Sequence, residues 1–225
     1  MFSNCEVTGD TLIKEGTFGV QKANELFVWN SGIEWVKAGN ISSWTWKGIN
    51  YNDTQEIKAE EFALTLWTKE HSWEEIKNNP DLDFIYTPGD PEIDAQLIAN
   101  AERDNLTSPF NCPLTYRLEG LKRFTITCDQ ALGGQNASTD LTDMFDVYSN
   151  TLIINSDKQY LGRCKKFTPI GDYLGLNPLV FDSLTIVFKR SDIPSEKIDN
   201  CIFTIDLELD NGKKLTAQSK AVTFI

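Results

Sequence analysis

The chain is short of the residues on which most recognisable catalysis depends. It has one histidine among 225 residues, His71, so no cluster of imidazoles can hold a metal ion. A Ser/His/Asp triad would have to use His71, in the charged run Lys69-Glu70-His71-Ser72, and no G-x-S-x-G elbow offers a nucleophile. The five cysteines, Cys5, Cys112, Cys128, Cys164 and Cys201, make no C-x-x-C pair and show no zinc spacing. Gly133-Gly134 lacks the Lys-Ser/Thr that would follow in a phosphate loop. Carboxylates crowd together at Asp81, Asp83, Asp90, Glu92 and Asp94, but without the spaced ligands and glycine of a calcium loop. No pair of acids is singled out for glycoside hydrolysis. The sequence therefore assigns no catalytic residue, no metal site and no cofactor, and the expectation is a protein that is not an enzyme.

Basic charge is scarce too. Against 33 acidic residues stand 21 Lys and Arg, a formal charge of −12. The excess lies in the first half: residues 1–120 hold 20 acidic and 9 basic side chains. Phosphate binding needs Lys and Arg, so nucleic acid and anionic membrane are excluded as partners. No stretch approaches the roughly 18 uninterrupted apolar residues of a membrane span. Met1-Phe2-Ser3-Asn4-Cys5 has neither the basic start nor the apolar core of a secretory signal.

What the chain does have is strand pattern. Phe203, Ile205, Leu207 and Leu209 alternate with Thr204, Asp206 and Glu208, and Asp210-Asn211-Gly212 follows as turn chemistry. A two-residue loop would set Leu207 opposite Thr216. A three-residue loop sets Leu207 opposite Leu215, Ile205 opposite Ala217 and Phe203 opposite Ser219, which keeps apolar residues on one face. The second register is the expectation, with Gly212 in the left-handed conformation of a G1 bulge. After Ser219 the apolar residues occupy both phases, as in a bulge or a last strand buried on both sides.

Further strands are expected at Glu25–Asn30, Ile33–Val36, Ser42–Trp46, Ala59–Thr68, Phe124–Cys128, Val147–Ile154 and Leu184–Lys189. Asn30-Ser31-Gly32 and Asn50-Tyr51-Asn52-Asp53 read as turns, and Ser191–Asn200 as the connection into the final hairpin. Helix signals are confined to about 67–115. Ser72-Trp73-Glu74-Glu75 is a capping box, and Asp90-Pro91 caps a helix striped by Ile93, Leu97 and Ala101. The fold class is therefore mainly β: an antiparallel β-sandwich of Ig-like kind, one domain over 1–225, with a helical, loop-rich insertion.

Two groups of residues carry the functional expectations. Cys128 and Cys201 fall in phase with apolar faces and are expected to be buried as small hydrophobes. Cys112 and Cys164 lie in loop-like sequence, where an oxidising compartment would allow them to pair. All six tryptophans, Trp29, Trp35, Trp44, Trp46, Trp67 and Trp73, fall between residues 29 and 73. Such a cluster fills a core or offers indole faces to sugar rings. Trp44 and Trp46, alternate residues of one strand, are the candidate ligand-binding pair.

Three stretches also resemble a family. They are Ala59-Glu60-Glu61-Phe62-Ala63-Leu64-Thr65-Leu66, then Leu121–Thr127 with Thr139–Phe145, and Asn177-Pro178-Leu179 leading through Leu184–Phe188 to Phe203–Ile225. Together they resemble the uncharacterised surface or periplasmic lipoproteins of Bacteroidetes. That resemblance implies export, to the periplasm or outer-membrane surface, and a lipid anchor on Cys5 as the only contact with a membrane. The function expected is a non-enzymatic structural or binding role at the cell envelope, with a glycan or another envelope protein as partner. The alternative is a carbohydrate-binding or glycan-processing accessory that uses the segment 29–73.

Overall fold

Short runs of β-branched and aromatic residues, broken by Gly, Asn, Asp and Pro, fold here as short strands. The computed structural model describes residues 11–12, 18–38, 41–47, 55–103, 107–108, 114–148, 152–163 and 167–225; for 34–38 and 41–47 the description is of the backbone. The first strands are β1 (Thr11–Leu12), β2 (Phe18–Val20), β3 (Glu25–Ala38), β4 (Ile41–Lys47), β5 (Gln55–Ile57) and β6 (Phe62–Lys69). Helix α1 (Trp73–Asn78), β7 (Thr87–Pro88), helix α2 (Pro91–Arg103), β8 (Thr107–Ser108) and β9 (Leu114–Tyr116) follow. Then come β10 (Leu121–Cys128), β11 (Phe145–Val147), β12 (Leu152–Ile154), β13 (Tyr160–Arg163), β14 (Thr168–Pro169) and helix α3 (Ile170–Leu174). The chain ends with β15 (Ser183–Phe188), β16 (Ile198–Cys201), β17 (Phe203–Leu209), β18 (Lys214–Gln218) and β19 (Val222–Phe224).

The protein is mainly β, in several sheets. The largest has six strands in the order β14-β11-β15-β6-β3-β4, all neighbours antiparallel. A second, β10-β17-β18, is also antiparallel. Two small sheets each contain a parallel pair, β5 with β19 and β2 with β9, so pairing is not antiparallel throughout. Both helices expected between 67 and 115 form as read. The Ser72 hydroxyl accepts from the Glu75 amide, and the Glu75 carboxylate accepts from the Ser72 amide at 2.8 Å. Asp90 Oδ1 accepts from the amides of Glu92 (2.9 Å) and Ile93 (3.4 Å) at the start of α2. Ile93 and Leu97 bury against Val20, Tyr116, Ile154 and Leu179 in a small core of their own.

The main core lies between the six-stranded sheet and β10-β17. Alternation brings Leu64 and Leu66 of β6 and Leu184 and Ile186 of β15 to one side, and Phe124, Ile126, Ile205 and Leu207 to the other. At its centre five phenylalanine rings meet. Phe62 stacks on Phe203 at 5.4 Å and meets Phe224 edge-on at 5.1 Å, while Phe145 stacks on Phe188 at 4.5 Å. Offset and edge-on contacts of this kind add to the gain from burial itself.

Three expectations need correction. Val147–Ile154 is not one strand: β11 ends at Val147 in the large sheet, and β12 starts at Leu152, paired to β13. Asn30-Ser31-Gly32 is not a turn; β3 runs through it as one strand of 14 residues, paired to Leu64, Ala63 and Phe62. The polar side chains that signal a turn find partners across the sheet instead. Asn30 Nδ2 donates to the Lys220 carbonyl at 3.0 Å, and the Ser31 and Thr65 hydroxyls hydrogen-bond at 2.6 Å. The stretch 191–200 is likewise more than a connection, since β16 within it pairs with β19. That pairing, with β5 on the other edge, buries Val222, Thr223 and Phe224 alike, the last strand covered on both sides. The turn read at 50–53 lies outside the described residues.

Among the described residues Arg117 is the one buried charged side chain, and it is fully buried. Its guanidinium donates to the Thr68 carbonyl and pairs with the Asp182 carboxylate at 2.8 Å. A buried cation is tolerated only with such partners. Here the partners are the end of β6 and the approach to β15, which the guanidinium ties to the end of β9.

The C-terminal hairpin follows the three-residue register. Leu207 pairs with Leu215 and Ile205 with Ala217, and the backbones of Phe203 and Ser219 meet through the Ser219 amide donating to the Phe203 carbonyl at 2.8 Å. Gly212 has φ 83°, and an added Cβ would meet nothing within 4 Å, so the constraint there is the backbone alone. Gly212→Val is expected to destabilise the protein by more than about 1 kcal/mol, the cost of a branched residue in the left-handed region. Urea unfolding checks it; an unchanged midpoint would remove the bulge from the account.

Candidate functional site

The six-stranded sheet has two faces of different character. Its inner face carries Leu26, Val28, Leu64 and Leu66 into the main core. Its other face carries tryptophan. Phe27 sits opposite Trp67, and Trp29 opposite Thr65, across the β3–β6 ladder. Trp29 and Trp67 are therefore diagonal neighbours on one face, and their rings lie 4.3 Å apart with a 60° tilt. Trp73, the first residue of α1, stands edge-on to Trp29 at 6.0 Å and to Phe27 at 6.3 Å. It is 54% exposed, while Phe27, Trp29 and Trp67 are half-buried.

Local chemistry sets this group in place. The Asn24 amide donates to the Lys69 carbonyl at 2.9 Å, and the Glu70 carbonyl and carboxylate accept from Asn24 Nδ2 and the Lys22 amide. The chain thus leaves β6 at a fixed angle. The capping box then starts α1 one residue before Trp73, which fixes where that indole emerges. The Glu75 carboxyl, held by the Ser72 amide and hydroxyl, lies below the ordinary carboxylate range.

Register brings the candidate pair to the same face. Trp46 pairs with Ile33 and Trp44 with Trp35, with no bulge interrupting β3 or β4. Ile33, Trp35, Trp44 and Trp46 therefore occupy positions in phase with Phe27 and Trp29. Between the indoles and the far edge of the sheet runs a row of hydroxyls: Ser31 to Thr65 at 2.6 Å and Thr65 to Thr185 at 3.4 Å. Beyond them Ile33, Ala63, Val187 and Tyr148 form a small apolar cluster, with the Phe167 ring 5.5 Å from Tyr148. No tryptophan belongs to the buried core of the described residues. Of the six, Trp29, Trp67 and Trp73 have described side chains, and around them the core is filled by phenylalanine and leucine.

The other sequence candidates stay apart from this face or outside the description. Cys5, Cys112 and Cys164 lie outside the described residues. His71 is half-buried in the bend before α1. Among the described residues no group of three or more His, Cys, Asp or Glu side chains stands close enough to hold a metal ion. The acids at 90–94 are occupied locally. Lys158 reaches Asp90 at 2.9 Å and Glu92 at 3.7 Å, and the Tyr116 hydroxyl donates to Asp94 at 2.8 Å. Burial first, and then that contact with Asp94, push the Tyr116 hydroxyl well above its ordinary range. Around Arg117, burial and the nearby Asp83 and Asp182 raise Tyr86 in the same direction. Both polar groups bind the small sheets to the rest of the molecule.

No family model, characterised protein or solved structure matches the chain.

One acid does share the tryptophan face. Asp146 of β11 pairs with Val187, in phase with Ala63 and Ser31. Its Oδ1 is buried and meets no hydrogen-bond donor among the described residues. Burial raises its pKa; Lys189 opposes the rise, and Asp192 and Asp172 add to it. A carboxyl raised in the folded state contributes stability that is fully present below its unfolded pKa and lost as pH rises through the folded value. Asp146→Asn should therefore unfold at higher urea than the parent at pH 7, the difference shrinking towards pH 4. Parallel urea titrations at the two pH values check this; equal midpoints at both would mean that the carboxylate is not strained.

Proposed function

We propose that this is a non-enzymatic binding protein of a bacterial cell envelope, of the Bacteroidetes lipoprotein kind, exported and anchored through Cys5. In this reading its sheets form an Ig-like β-sandwich, and the outer face of the six-stranded sheet binds carbohydrate. The observation that carries the reading is the gathering of Phe27, Trp29, Trp67 and the half-exposed Trp73 on that face, with Trp44 and Trp46 in phase beside them. Aromatic rings that keep part of their surface in water at a cost to burial suit a ligand with apolar C–H faces and polar edges, as sugars have. The acidic balance of the chain favours a neutral or basic glycan over an anionic one. Trp29 and Trp67 are tilted, not coplanar, so they form a corner for one or two rings of sugar and not a flat platform. No helix among the described residues is long and apolar enough to cross a membrane, and attachment in this reading comes from the lipid on Cys5 alone. The mass of the N-terminal peptide from the native host tests that anchor.

Titration of intrinsic tryptophan fluorescence with a panel of neutral glycans tests the binding face. A saturable shift is expected, lost in Trp73→Ala and weakened in Trp44→Ala. Trp73→Ala should change stability by no more than about 1 kcal/mol, because the ring is largely exposed and leaves only edge contacts behind. A panel without any saturable shift, or a shift that survives Trp73→Ala, overturns the assignment.

A further inference from the structure

Two of the cysteines come together in the core. Cys128 ends β10 and Cys201 ends β16, and their side chains are 1% and 0% exposed. The backbone sets their approach. Cys128 pairs with Phe203 across the β10–β17 ladder, and the contact continues one residue further. There the Asp129 amide donates to the Ile202 carbonyl at 3.1 Å, and the Ile202 amide donates to Asp129 Oδ1 at 2.7 Å. With 129 opposite 202, residue 201 lies diagonally across from 128, and both side chains enter the same apolar cluster. The two thiols are close enough for each to shift the other's titration.

We propose that Cys128 and Cys201 are a disulfide-forming pair, closed when the chain folds in an oxidising compartment. The bond would tie the end of β10 to the end of β16 and close the long segment between them, which restricts the unfolded chain. The chemistry is thiol–disulfide exchange with a disulfide oxidant, R–S–S–R. The Cys128 thiolate, its proton given to solvent, attacks one sulfur of the oxidant and releases R–S⁻. The Cys201 sulfur, on losing its proton, then attacks the Cys128 sulfur of the mixed disulfide and releases the second R–S⁻. Two thiols lose two protons and two electrons, and the oxidant becomes two R–SH.

In the folded protein the Gln130 amide donates to Cys128 Sγ at 3.5 Å, and Cys128 Sγ donates to Asp129 Oδ1 at 3.7 Å. Both side chains are enclosed in the finished core, so exchange takes place during folding, before the core closes. The pair also differs in kind from Cys112 and Cys164, which have only loop-like sequence to suggest a bond.

The test refolds the full chain in a glutathione redox buffer, beside a C5S/C112S/C164S variant in which only this pair can close. Both are denatured and alkylated without reduction, digested and mapped by mass spectrometry. The expected result is that most chains of each protein carry the Cys128 peptide joined to the Cys201 peptide, lighter by two hydrogens than the separate thiols. If the variant fails to refold, the map of the parent decides alone. Cys128 and Cys201 alkylated in most chains, or joined mainly to other cysteines, overturns the pair.

Discussion

Five phenylalanine rings, each from a different strand, are the contact on which the rest of the structure depends. Phe62, Phe145 and Phe188 belong to the six-stranded sheet, Phe203 to β10-β17-β18, and Phe224 to the small sheet of β16, β19 and β5. Three sheets with separate hydrogen-bond ladders thus share one dry centre. Short strands need a buried face to hold them, and here one centre supplies it to all three sheets. The parallel pairing of β5 with β19 joins residues 55–57 to the end of the chain, and it is held because Phe224 is locked among the other rings.

That arrangement frees the opposite face of the large sheet. Because phenylalanine and leucine supply the core, Trp29, Trp67 and Trp73 are left on the outside, where their rings are only partly covered. A folded chain that keeps such a patch exposes a surface suited to contact. The hydroxyl row of Ser31, Thr65 and Thr185 and the apolar cluster at Ile33 and Val187 continue the same face, so one side of the sheet faces the core and the other carries this mixed surface. Arg117 supports the division from the edge by fixing how β6 and β15 end.

Much of this was legible in residue order, where the signal is local. Alternation and turn chemistry located β6, β10, β15 and the final hairpin, and in-phase packing chose the register of the hairpin. The capping box of α1 and the Asp-Pro cap of α2 located those helices, because their hydrogen bonds join residues two or three apart. What stayed hidden depends on distant partners. Asn30-Ser31-Gly32 looks like a turn until Lys220 and Thr65 satisfy its side chains. Arg117 carries no local mark of burial, since its partners are 49 and 65 residues away. Alternation put Trp44 and Trp46 in one phase, but only pairing with β3 could say which face that phase belongs to. The meeting of Cys128 and Cys201 in one core cluster was hidden for the same reason: each reads as an apolar strand residue.

The central claim is that the phenylalanine centre holds three sheets as one unit. Equilibrium urea unfolding of Phe203→Ala tests it most directly, followed by tryptophan fluorescence for the large sheet and by far-ultraviolet circular dichroism for all of them. The account predicts a loss of about 3–5 kcal/mol, as for other large-to-small changes at fully buried aromatics, with the two signals still moving together. A loss below about 1 kcal/mol, or two separated transitions in the parent protein, would contradict it.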